Sequence, residues 1–198
     1  MTVIGVTGTI GSGKSTVCRI LAGLGCPTVD ADRVAHTTYR RGTRVWKAIV
    51  DHFGPQVQSP DGAIDRPALG RVVFQDERAR EWLNGVVHPA TRDRVERRLK
   101  KLKKQGSTCA AVEATLLLEA GWDKMVDHVW LVVAPEDTVV QRLERDRSQP
   151  GEATLARLAA QTPAEKQLPH VDAVIRNEGD IDELESQVRR LLQGIRRS

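Results

Sequence analysis

Gly8, Gly13, Lys14 and Ser15 fall at the spacing G-x-x-x-x-G-K-[ST], directly after the apolar run Val3-Ile4-Gly5-Val6. A strand that enters such a loop and leaves it in a helix is the context in which this pattern grips a nucleoside triphosphate. Backbone N–H groups hold a triphosphate only if the chain curls tightly around it. Gly8, Gly11 and Gly13 remove the Cβ atoms that would block the curl. The following helix aims its unpaired N–H groups and positive dipole end at the phosphates. Lys14 is read as a compact charge on the β and γ phosphates and Ser15 as the Mg²⁺ ligand. Ser12 lies within the curl, and Thr16 continues the first helical turn within reach of the α-phosphate. A dinucleotide fingerprint fails, because Thr16 stands where its third glycine belongs.

A second group able to do chemistry is Asp30-Ala31-Asp32, at the carboxyl end of an expected strand. Ligands of open α/β sheets bind at that edge, and a carboxylate there accepts a proton from an attacking hydroxyl. One of the pair also suits an N-cap for a helix beginning near Arg33. Asp30 is assigned the structural place and Asp32 the catalytic one. Arg142, Arg145 and Arg147 form a third group, at the end of an expected helix. Mobile arginines stabilise the charge of a transferring phosphoryl group while a lid excludes water. The same arginines would equally pair with Glu144 and Asp146 on the surface.

The elements that must position these groups alternate. Strands are expected at residues 3–6, 27–30, 110–113, 128–134 and 173–175. Helices are expected at 14–24, 137–147 and 182–193. This alternation makes an α/β fold with a five-stranded parallel sheet flanked by helices. Residues 31–105 read as mainly helical, with Val95, Leu99 and Leu102 on one face of a strongly basic stretch at 92–104. The chain is expected to be one domain: a core of about 1–30 and 106–198, an acceptor-binding insertion of about 31–105, and a short lid of about 142–168.

Composition narrows the partners. Thirty Lys and Arg against twenty-six Asp and Glu leave the 198-residue chain at +4, which suits polyanionic small substrates. Seven aromatics (four Trp, one Tyr, two Phe) offer no base-stacking platform, so nucleic acid is not expected as a partner. Cys18, Cys26 and Cys109 form no C-x-x-C pair and read as reduced core thiols of a cytoplasmic protein. The first strand already carries phosphate-loop chemistry, so a cleaved leader is not expected, and no apolar stretch is long enough to span a membrane. A monomer is the expected state.

With those pieces placed, the chain resembles the bacterial dephospho-coenzyme A kinase family over nearly its whole length. Thr7 through Thr16 is close to the family's loop, and Val29-Asp30-Ala31-Asp32 matches its D-A-D element. Asp61-Gly62-Ala63-Ile64-Asp65-Arg66 resembles its D-G-x-I-D-R segment, and His88-Pro89 its H-P pair. Leu116-Leu117-Leu118-Glu119 resembles its L-L-x-E, Gln141-Arg142 with Arg145-Asp146 its Q-R-x-x-x-R-D followed by Gln161, and Asn177-Glu178-Gly179 its late N-x-G. Thr115 departs from the usual proline, and Arg176 from the usual aspartate before the asparagine. The resemblance implies a P-loop kinase that transfers the ATP γ-phosphate to the ribose 3′-hydroxyl of dephospho-coenzyme A. It implies Asp32 as base, Lys14 and Ser15 as the phosphate and Mg²⁺ groups, and Arg142 and Arg145 as lid cations. His88, Pro89 and Glu119 would surround the acceptor, with His88 either touching it or capping a helix started by Pro89. Asn177 would lie near the adenine of ATP. Another small-molecule kinase would share the loop without the D-G-x-I-D-R and H-P elements. A nucleotide-dependent switch or nucleic-acid-associated ATPase would use the 92–104 stretch as a docking face, and a GTPase would need an N-K-x-D element that this sequence lacks.

Overall fold

Apolar side chains at consecutive positions, rather than alternate ones, demand burial on both faces of a strand. β1 (Thr2–Thr7) meets that demand and is buried from Val3 through Thr7. The structure, a computed structural model, describes the backbone of residues 1–147 and 161–197, and the side chains of 1–142 and 161–196. The chain divides into two compact units, one of Met1–Asp30 with Lys101–Ser198 and one of Ala31–Lys100.

In the first unit β1 leads through a loop to α1 (Lys14–Gly23) and then β2 (Thr28–Asp30). After the second unit come β3 (Cys109–Glu113) and β4 (His128–Val133). All four strands and β5 (Ala173–Arg176) pair in parallel, in the order β2-β3-β1-β4-β5. β1 sits at the centre, with Ile4 opposite Ala111 on one side and His128 on the other. The connection from β1 skips over β3 to reach β2, while β4 and β5 lie on the opposite side. Strand order therefore reverses beside β1, which opens a crevice at its carboxyl end.

The core of this unit joins Val17, Cys18 and Leu21 of α1 to Ile4, Val6 and Trp130 of the sheet. The closing helix, Ile181–Arg197, adds Leu184, Val188 and Leu192. Near its end Arg196 donates to the carbonyl of Leu24 at 3.0 Å, satisfying the carboxyl end of α1. Cys18, Cys26 and Cys109 are free and buried. Burial, and then the neighbouring Glu113 carboxylate, pushes the Cys18 thiol above its ordinary range.

In the second unit α2 (Ala31–Thr38), α3 (Arg44–Phe53), α4 (Arg66–Gln75) and most of α5 (Glu77–Lys104) enclose their own apolar core. That core contains Ile49, Phe53, Val57, Leu69 and Val87. His52 stacks on Trp82 at 3.7 Å between ring centres, and Phe53 meets Trp82 edge-on. Arg94 ties α5 to α2 through the Thr37 carbonyl and hydroxyl, at 2.9 and 2.8 Å.

The D-G-x-I-D-R segment proves to be turn and cap chemistry. Asp61 accepts from the Ser59 hydroxyl and the Ala63 N–H, which hold its carboxyl below the usual range. Gly62 turns the chain at φ 79°, Ile64 bridges back to Gln58, and Asp65 caps α4 by accepting from the Ala68 N–H at 3.0 Å.

Two expectations are corrected. α2 begins at Ala31, straight after β2, so Asp32 lies in its first turn and the helix does not wait for Arg33. α5 runs unbroken for 28 residues with Pro89 inside it, so Pro89 starts no helix and His88 caps none. Proline there forfeits one i→i−4 bond and crowds the carbonyl of Gly85. Gly85 is exposed and has no side chain, which leaves that carbonyl room to tilt toward water. Buried Val87 and Thr91 flank the proline, and the Thr91 hydroxyl donates to the Val87 carbonyl at 2.7 Å. Tertiary packing thus carries the helix through a residue that ordinarily opens one.

The remaining described elements are α6 (Glu136–Arg147), the short α7 (Ala164–Gln167) and α8 (Ile181–Arg197). Residues 148–160 of the expected lid lie outside the described residues. Among the described residues no helix is long and apolar enough to cross a membrane.

Candidate active site

Burial on both faces of β1 delivers the chain to Gly8 at the crevice. There a Cβ would stand 2.3 Å from the Val132 carbonyl oxygen of β4, and φ is 142°. Only glycine passes a neighbouring strand that closely. The loop closes on Gly13 at φ 103°, the N-cap of α1, which carries no side-chain cap and no acid in its first turn. Those first-turn N–H groups form the donor set of an anion site.

Lys14 is buried, and its Nζ donates to the carbonyls of Gly8 and Thr9, both at 3.0 Å. The ammonium is therefore folded over the loop rather than out into solvent. Ile10 N–H is taken by the Gln161 side-chain oxygen at 2.9 Å. Next to Lys14, the Ser15 hydroxyl donates to Glu113 Oε1 at 2.6 Å. Glu113 ends β3 and lies in register with Val6 and Asp30, so a carboxylate is set at the crevice by strand pairing alone.

Strand alternation buries Ile175, exposes Arg176 and buries Asn177. Asn177 Nδ2 donates to the Ser12 carbonyl at 2.8 Å, and Arg142 Nη2 of α6 reaches Asn177 Oδ1 at 3.5 Å. Ser12 Oγ is fully buried and has no hydrogen-bond partner among the described residues. Arg145 lies one turn along α6 from Arg142, but its side chain lies outside the described residues.

Glu119 is exposed on a turn after β3. That turn is docked by buried Leu117, whose methyl would stand 2.6 Å from a Cβ on Gly5. In the second unit Asp32 is exposed in the first turn of α2, two residues beyond the end of β2. His88 is half-buried in mid-α5, and burial lowers its pKa below the ordinary histidine value; Pro89 beside it is exposed.

Residues 2–183 match the sequence profile of the family described as dephospho-CoA kinase. A protein named dephospho-CoA kinase from Geobacter sulfurreducens is 44% identical over 192 residues, covering 96% of this chain and 97% of that one. This chain belongs to the dephospho-CoA kinase family. Among solved structures it is similar to a Thermus thermophilus protein at 32% identity and a TM-score of 0.83, covering 98% of this chain and 97% of that one. It is also similar to the dephospho-CoA kinase from Campylobacter jejuni at 26% identity and a TM-score of 0.71, covering 98% and 96% of the two chains.

At Arg176, which departs from the family pattern, the side chain is exposed beside Glu178 at 3.6 Å, while Gln187 holds its backbone from both sides. Thr115 follows buried Ala114, and its carbonyl oxygen faces the Thr7 hydroxyl at 3.4 Å.

The loop fits Mg·ATP: positive φ at Gly8, Gly11 and Gly13 curls its backbone, and a Cβ at Gly8 or Gly13 would strike the Val132 carbonyl or the Asn177 amide. Mg²⁺ ordinarily takes one or two protein oxygens and completes its shell with phosphate and water. Ser15 and Glu113 supply one hydroxyl and one carboxylate in mutual contact.

Sequence reasoning placed Glu113 only at the end of a strand. Its signal is an acid that closes an apolar run at the ligand edge, as Asp30 also does. Gln161 enters the sequence reading only through the family pattern, and its contact with the loop spans 151 residues.

Proposed function

We propose that this chain transfers the γ-phosphate of ATP to the ribose 3′-hydroxyl of dephospho-coenzyme A, giving coenzyme A and ADP. The observation that carries the reading is the phosphate loop of a dephospho-CoA kinase with Lys14 folded over it and Ser15 held against Glu113.

Asp32 accepts the proton of the 3′-hydroxyl as its oxygen attacks the γ-phosphorus, and the β–γ bridging oxygen leaves with ADP. Lys14 and the first-turn N–H groups of α1 hold the phosphate oxygens, with Gly11, Ser12, Gly13 and Thr16 completing the cradle. Arg142 and Arg145 stabilise charge spread over the transferring group. Ser15 and Glu113 would hold Mg²⁺, which would supply positive charge against the phosphate oxygens. His88, Pro89 and Glu119 contact the acceptor. The three buried thiols support a reducing, cytoplasmic setting, and the enzyme works as a monomer.

The test is ADP release with Mg·ATP and dephospho-coenzyme A, set against adenosine, AMP, simple alcohols and no acceptor. Turnover with dephospho-coenzyme A alone, and a new phosphate on the ribose 3′ position, is the expected result. Activity confined to another acceptor would move the substrate assignment, and acceptor-independent hydrolysis would remove the transferase reading.

A further inference from the structure

Asn177 is the residue for which the resemblance implies a place beside the adenine, and its contacts point elsewhere. Its carboxamide is buried at 6% exposure. Two neighbours fix which way round the amide lies. The Ser12 carbonyl only accepts, so the atom 2.8 Å from it must be the NH₂. The Arg142 guanidinium only donates, so the atom it faces at 3.5 Å must be the oxygen. Both requirements are met at once, and flipping the amide would violate both.

The amide also lies flat against the loop. A Cβ on Gly13 would fall 2.1 Å from Asn177 Nδ2, and Arg142 Nη1 stands 3.9 Å from the same point. Behind it the backbone is anchored, because Asn177 N–H donates to the Val133 carbonyl at 2.8 Å. The backbone and side chain of Asn177 together join the ends of β4 and β5, the phosphate loop and α6.

We propose that Asn177 is a positioning residue, whose carboxamide clamps the phosphate loop at Ser12 and aims Arg142 at the transferring phosphate, serving phosphate binding and not base recognition. The inference rests on the phosphate-loop reading above and deepens it. Removing the clamp frees the Ser12 carbonyl and lets the curl relax, which weakens any ligand that uses the loop, whether or not it carries a base.

Magnesium tripolyphosphate is the base-free probe. Its binding, measured by calorimetry, is compared with that of ATP and GTP in wild type, Asn177→Ala and Asn177→Asp. Steady-state kinetics with ATP and GTP follow on the same proteins. Asn177→Asp keeps the volume but turns a carboxylate oxygen on the Ser12 carbonyl, so it carries the test should Asn177→Ala fail to fold.

Affinity for tripolyphosphate should drop about tenfold or more, in step with ATP, and kcat should fall by a similar factor. The ATP-to-GTP ratio of kcat/KM should stay within about twofold of wild type. Tripolyphosphate binding that survives while ATP binding is lost, with that ratio collapsing toward one, would overturn the inference. So would unchanged affinity and kcat. Wild type that binds neither ATP nor tripolyphosphate would sink the phosphate-loop reading first and this inference with it.

Discussion

The Ser15 hydroxyl donates to Glu113 Oε1 at 2.6 Å, across 98 residues of sequence. The pair joins the first turn of α1 to the carboxyl end of β3, and it is the pair proposed to hold Mg²⁺.

Glu113→Gln keeps the shape and a hydrogen bond to Ser15 while removing the charge. The Mg²⁺ concentration for half-maximal rate should rise about tenfold or more, and kcat should fall by a factor of about 10–100. A Mg²⁺ titration at saturating ATP checks both. An unchanged titration would leave Glu113 as a support for Ser15 alone.

Asp32→Asn should lower kcat by at least about 10²-fold, the scale of a lost general base, while ATP affinity stays near wild type. Single-turnover rates and nucleotide binding separate the two effects. A near-normal rate would move the proton acceptor to Asp30.

At Gly8 the left-handed backbone and the 2.3 Å approach to the Val132 carbonyl act together. Gly8→Ala should cost about 2 kcal/mol or more in stability, lowering Tm by about 4–8 °C for a chain of this size. Thermal melts followed by circular dichroism measure it, and a Tm equal to wild type would contradict the geometry.

Burial lowers the pKa of His88 in the folded state below its ordinary value of 6.5. As pH falls from that value the unfolded chain takes up the proton first, so the unfolded state binds more protons and stability declines. Tm measured downward from pH 8 should therefore drop less steeply below about pH 6.5 in His88→Gln than in wild type. Parallel curves would show that His88 is not held neutral by the fold.

Pro89→Ala restores an N–H donor for the Gly85 carbonyl in mid-α5. Stability should rise by about 1–3 kcal/mol, given the penalty for proline inside a helix. The KM for dephospho-coenzyme A is the companion readout. A raised KM with a raised Tm assigns Pro89 to the acceptor, and a raised Tm alone makes it a local helix feature.

The loop was legible because its chemistry is local: eight consecutive residues set the turn, the charge and the hydroxyl. The sheet was legible because buried parallel strands are apolar at successive positions. At His88-Pro89 the sequence leaves a helix start open beside an acceptor contact, since proline favours a helix start and the packing of Val87 and Thr91 that overrides this preference is tertiary. What Glu113 and Asn177 touch is out of the sequence's reach for the same reason. Their partners, Ser15 and Ser12, lie 98 and 165 residues away, and no spacing rule connects them.

The link between Ser12 and Asn177 also has a bearing on how the protein is born. Residue 12 is made 165 residues before the side chain that braces it, and α1 shares its core with α8. The nascent protein must hold an unbraced loop until Asn177 has been made, and contacts of such sequence separation form late in folding. The shape of the loop thereby waits on the arrival of β5.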